Sequence, residues 1–156
     1  MIEKFKEFLQ ELKDNEKFKQ FKEKNALAYN TSFFLIDNQL FAYFYDTNSD
    51  KITSFTKQNK EIISQEDDVF RKEKHEIKEL DLNKVEIDLE KAEEVIKEKY
   101  QDEATKKIFI LQQIESPIWN ITYLTTKLDI LNVKIDAISG EIIEETIESA
   151  LNLQQK

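Results

Sequence analysis

Leu128 to Ile143, LDILNVKIDAISGEII, joins a period-two alternation to the only glycine in the chain, and a polypeptide with such a stretch is constrained to build a sheet around it. Leu131, Val133, Ile135 and Ala137 share one parity and Asn132, Lys134 and Asp136 the other. An extended backbone therefore turns the first set toward a core and the second toward water. Asp136 can accept a backbone N–H two residues on, and Gly140 can enter the left-handed region without steric cost. DAISGEI accordingly reads as strand, tight turn, strand. One Gly and one Pro serve the whole chain, so its other turns must lean on Asn, Asp and Ser.

Those turn residues divide further strand-like runs. AYNTSFFLID, QLFAYFYD, KITSFTK and EIISQ are aromatic or β-branched and are separated by DN, TNSD and QN, which predicts four antiparallel strands in a meander. Phe41, Tyr43 and Tyr45 alternate with Ala42, Phe44 and Asp46, so that strand is apolar on both faces and belongs near the sheet centre. KKIFILQQI, PIWNITYLT and LDILNVKID form a second series. Trp119, Ile121 and Tyr123 share a face there, and Pro117 stands at a strand start, where its missing N–H does least harm.

Helical spacing frames the strands. Ile2, Phe5, Phe8, Leu9, Leu12, Phe18 and Phe21 predict an amphipathic helix over 2–24 with Asp14-Asn15 as its break point. Asp88 offers an N-cap to a helix striped by Leu89, Ala92, Val95, Ile96 and Tyr100. Ile143, Ile147, Ala150 and Leu151 predict a C-terminal helix. In residues 66–87, Val69, Phe70, Ile77 and Leu80 tolerate a helix, but the charge density suits a surface excursion between two units. The expected organisation is a helix plus meander over 1–66, a connecting segment over 67–87, and a helix, meander and C-terminal helix over 88–156. The fold class is α+β, helices packed on twisted antiparallel meander sheets.

Composition excludes much chemistry. With no Cys there is no disulfide, thiolate metal site or cysteine nucleophile. A net charge of −9 argues against nucleic-acid partners, which need clustered cations. The charge-studded N-terminus has no secretory apolar region and no window reaches a membrane span, so a soluble, cytoplasmic protein is expected. A single glycine cannot build a phosphate-cradling loop. Asp46, Asn48 and Asp50 open like a calcium loop, but Lys51 stands where that loop needs Gly and Lys57 where it needs a closing Glu, so an acidic hairpin turn is expected. His75, the only histidine, sits between Lys74 and Glu76 in a charged run and reads as an exposed loop residue. With 32 Asp and Glu, no carboxylate pair is distinguished from the rest. No catalytic, cofactor-binding or metal-binding residue is assigned, and no enzyme is expected.

Shifting the sequence by 90 residues lays Phe44 to Ile52, FYDTNSDKI, on Lys134 to Ile142, KIDAISGEI, with Asp46 on Asp136, Ser49 on Ser139 and Asp50 on Gly140. Phe41, Tyr43 and Tyr45 fall over Leu131, Val133 and Ile135, which suggests a tandem helix-plus-meander repeat. Residues 85–144 resemble the PepSY-like family of peptidase propeptides and related exported or membrane proteins. VEIDLEKAEEVIKEKY looks like its opening strand and helix, WNITYL like its aromatic-led strand, and Val133 to Ile143 like its closing hairpin. The resemblance implies a helix packed across a twisted antiparallel sheet, similar to cystatin-like architectures, with the first half a divergent second copy. It supplies no catalytic residues, and Asp136, Ser139 and Gly140 match its motif as turn formers. The expected function is a protein-binding or regulatory module, a peptidase being one partner. The alternative is a carrier holding a small apolar ligand between helix 2–24 and the aromatic strands.

Overall fold

A computed structural model describes residues 1–69 and 76–151. Eight strands, β1 (Tyr29–Ile36), β2 (Gln39–Asp46), β3 (Lys51–Gln58), β4 (Glu61–Asp68), β5 (Ala104–Gln113), β6 (Pro117–Thr125), β7 (Asp129–Asp136) and β8 (Ile142–Ser149), form one antiparallel sheet. Its order is β4-β3-β2-β1-β5-β6-β7-β8, two meanders joined where β1 pairs with β5. The expected α+β class with helices on antiparallel meanders is what the chain adopts. Its turns use the residues that glycine scarcity demands: Asp37, Asn38, Asp50 and Asn59 all have positive φ, joined by Lys60, Leu128 and Gly140.

The expected N-terminal helix is two, α1 (Ile2–Lys13) and α2 (Glu16–Lys24). They part at Asn15, whose side chain caps α2 by accepting the N–H groups of Lys17 and Phe18. α1 lays Phe5, Phe8 and Leu12 on the sheet. The Phe5 ring stacks on Phe33 with centroids 4.4 Å apart and meets Trp119 at 6.1 Å, so it bridges the β1–β5 seam. Phe18 and Phe21 of α2 meet Phe44 and Phe55 edge-on. α3 (Leu89–Lys99) buries Leu89, Ala92 and Ile96 over the second meander. Asp88 caps α3 through the Leu89 N–H and also takes the Ile2 N–H of α1, so one carboxylate serves two helix N-termini.

Residues 76–87 run across one end of the sheet. The Tyr29 hydroxyl donates to the Ile77 carbonyl, the Thr31 hydroxyl to Lys78, and the Leu80 N–H to Asn30. Further on, Ala137 accepts the N–H groups of Glu86 and Ile87, while the Trp119 indole donates to the Ile87 carbonyl at 2.7 Å. Among these residues only a short 3₁₀ turn, Leu82–Lys84, is helical, so Ile77 and Leu80 lie outside any α-helix, as does Val69; Phe70 lies outside the described residues.

Two further expectations are corrected. Residues 142–149 are a strand, not a helix: β8 hydrogen-bonds along β7 past a bulge at Lys134/Ile135, and that pairing overrides a spacing compatible with either state. The 90-residue shift, moreover, places β2 and β7 out of phase. Ala42 and Phe44 face the helices and Phe41 and Tyr43 the opposite side, whereas Leu131, Val133 and Ile135 face α3.

Candidate functional site

The residues singled out in the sequence build turns. Asp46 accepts the N–H groups of Asn48 and Ser49 and the Ser49 hydroxyl at 2.7 Å, and Ser49 is the main reason its carboxyl is held below the usual range. Asp136 does the same with Ser139 and Ile138, with the same effect on its pKa. Asp50 takes the Tyr45 hydroxyl at 2.6 Å. Among the described residues no group of three Asp, Glu, His or Cys side chains stands ready for a metal ion. His75 lies outside the described residues.

One polar cluster was invisible in the sequence. Glu93 of α3 accepts the Lys107 ammonium at 2.8 Å and the Tyr123 hydroxyl at 2.5 Å, below a cleft lined by Lys97, Tyr100 and Asp102. Burial pushes the Glu93 carboxyl up, but its two donors outweigh that and hold it below its ordinary value. Burial, and then the Glu93 charge, push Tyr123 up. The hydroxyl keeps its proton, the carboxylate its two donors and the ammonium its counter-charge. The three groups satisfy one another and brace α3 to β5 and β6.

On the helical side the sheet is filled by rings and aliphatic chains: Phe5, Leu12, Phe33, Phe55, Leu111 and Trp119 are at most 1% exposed. Among the described residues the other side carries no helix. Phe34, Phe41, Tyr43, Ile108 and Ile110 lie there half-buried, Phe34 and Tyr43 with ring centroids 4.4 Å apart, and Asn132 ties Asn120 and Thr122 into an amide patch beside them. At the margins β4 and β8 each have one strand neighbour among the described residues. This broad half-apolar face with two open edges is the candidate functional surface. It can offer flat apolar contact and main-chain hydrogen bonds to another polypeptide.

No family model matches the chain, and no curated protein matches it. Among solved structures, one described as a "putative lipoprotein" from Clostridium difficile 630 has the same fold with a TM-score of 0.57, at 14% identity over 83% of this chain and 89% of that one. No helix among the described residues is long and apolar enough to cross a membrane.

Proposed function

We propose that the chain is a non-enzymatic, PepSY-like module that binds and regulates another polypeptide, with peptidases the first class of partner to test. The observation that carries this reading is the contrast between the two sides of the sheet: one is closed by three helices and filled, while the other carries no helix among the described residues and is bounded by open edges. The carrier alternative needs room between α1–α2 and the sheet, and that interval is occupied by Phe5, Phe18, Phe33, Phe44 and Phe55. The matching Asp46 and Asp136 turns favour an ancestral duplication, while the opposite phases of β2 and β7 weigh against the 90-residue register.

The test is a photo-reactive phenylalanine analogue in place of Phe34 or Thr146, irradiated in host cells. A discrete protein adduct is the expected result, and repeated absence of one from both positions would end the proposal. Adding the purified chain to the peptidases of the same host and measuring cleavage rates tests the narrower partner class. A cytoplasmic location is proposed from the sequence alone, and the likeness to a protein described as a lipoprotein favours a membrane-tethered setting. Fractionation of host cells decides between them.

A further inference from the structure

The two open edges are not equivalent. In the β3–β4 hairpin the two-residue turn Asn59-Lys60 makes Gln58 and Glu61 a hydrogen-bonded pair. The backbone groups of Ile62, Ser64, Glu66 and Asp68 therefore point outward. The first of these carbonyls is already taken: Lys17 of α2 donates its ammonium to the Ile62 oxygen at 3.1 Å. Lys51 further holds the side chains of Glu66 and Asp68 at this edge. The cation seated on the Ile62 carbonyl is what closes β4 to an added strand.

Among the described residues no cation sits on an outward carbonyl of β8. The Ala150 N–H donates to the Leu128 carbonyl, and by the alternation of antiparallel pairing the backbone groups of Glu145, Ile147 and Ser149 point away from β7. Its side chains sort by face. Ile147 lies opposite Leu131 on the helical side and is 55% exposed, because α3 stops short of it; Ile143, at the bulge, is 53% exposed. Glu144 and Glu148 lie on the side away from the helices with Thr146 between them, opposite Lys134 and Ile130; Lys134 pairs with Glu144 at 3.5 Å, an exposed contact that a second cation can share. Glu145 is tied back to Lys99.

We infer that β8 is an acceptor edge for one kind of partner, an extended segment with cationic residues at i and i+4 on one face and apolar residues between them on the other. Added along β8, it would set its cations against Glu144 and Glu148 and its apolar side chains beside Ile143 and Ile147, while its main chain bonds Glu145, Ile147 and Ser149. A second copy of this chain does not fit. Antiparallel β8–β8 pairing gathers four glutamates on one face, with Glu144 directly opposite Glu148 when centred on Thr146, between two molecules each of net charge −9. This rests on the protein-binding reading and names the chemistry of the bound segment.

The probe is a synthetic peptide Val-Lys-Val-Thr-Val-Lys-Val, followed by two-dimensional amide NMR of the full chain, with Glu replacing Lys in the control. The expected result is shifts and slowed hydrogen exchange confined to residues 143–149 with the lysine peptide alone. The E144K/E148K variant should bind it at least about tenfold more weakly and E144Q/E148Q should fall between. Shifts centred on β4 or on Phe34 and Tyr43, equal binding of both peptides, no binding, or a β8-mediated dimer of the chain alone would each overturn the assignment. If the peptide fails while Phe34 still yields a protein adduct in host cells, the edge assignment falls and the protein-binding reading stands.

Discussion

Trp119 sits where three parts of the chain converge: its ring lies under Phe5, and its indole N–H closes onto the Ile87 carbonyl of the strap formed by residues 76–87. Trp119→Phe keeps a ring but orphans that carbonyl and leaves a void, so urea unfolding should show a loss of about 2–3 kcal/mol. Tyr123→Phe removes one of the two donors to Glu93 and should cost about 1–2 kcal/mol by the same measurement. The burial of Trp119 was legible from its parity with Ile121 and Tyr123, but its partner at Ile87 was not, because no spacing announces a strap that crosses four strands before the next helix. The Glu93 brace was hidden for a similar reason. At the start of a helix rich in Glu, its charge reads as a response to the helix dipole, and the facing Lys107 and Tyr123 lie on strands that only tertiary pairing brings there. pH reports on the turn carboxylates. Asp46 and Asp136 have depressed folded values, so their contribution is full above the unfolded carboxyl pKa of about 3.9 and is lost as pH falls through the folded values. Asp136→Asn keeps an acceptor for the Ile138 and Ser139 N–H groups without a titratable proton, and should flatten the fall in melting temperature between pH 5 and 2.

Hairpins are the elements this sequence specifies best, and their turns show why. Gly140 holds φ +80, with room for a Cβ at ordinary contact distance, 3.4 Å, from the Ile87 side chain, so Gly140→Ala should cost about 1–2 kcal/mol through backbone strain and not through collision. Leu128 has φ 63 in a turn and is exposed, so it bears the same strain with no compensating burial. Leu128→Asn should therefore raise the urea midpoint, by an amount corresponding to about 0.5–1 kcal/mol. β8 was the element misread. An edge strand has one neighbour and little burial, so its side chains are not sorted by a strict period of two. Ile143, Ile147, Ala150 and Leu151 happen to fall at helical intervals, with the bulge adding the extra residue that disguises the alternation. β2, paired on both sides, showed its two apolar faces plainly.

At the scale of the molecule, six of the seven strand pairings are between sequence neighbours and one, β1 with β5, joins residues separated by α3 and the strap. Phe5 rests across that seam on Phe33 and Trp119, and Asp88 binds the starts of α1 and α3 together. The two meanders should thus unfold in one step, with Trp119 fluorescence and far-UV circular dichroism giving coincident urea transitions; a separated early phase would show that the seam yields first. Under the proposed assignment of β8 as the acceptor edge, the Lys17 ammonium on the Ile62 carbonyl also sets a stoichiometry. A sheet with a single receptive margin terminates whatever joins it, giving a one-to-one complex, whereas two receptive margins make each molecule a link. Lys17→Ala would raise the valence from one to two, and light scattering in the presence of a two-sided cationic peptide should then report chains growing without limit where the parent protein stops at a pair.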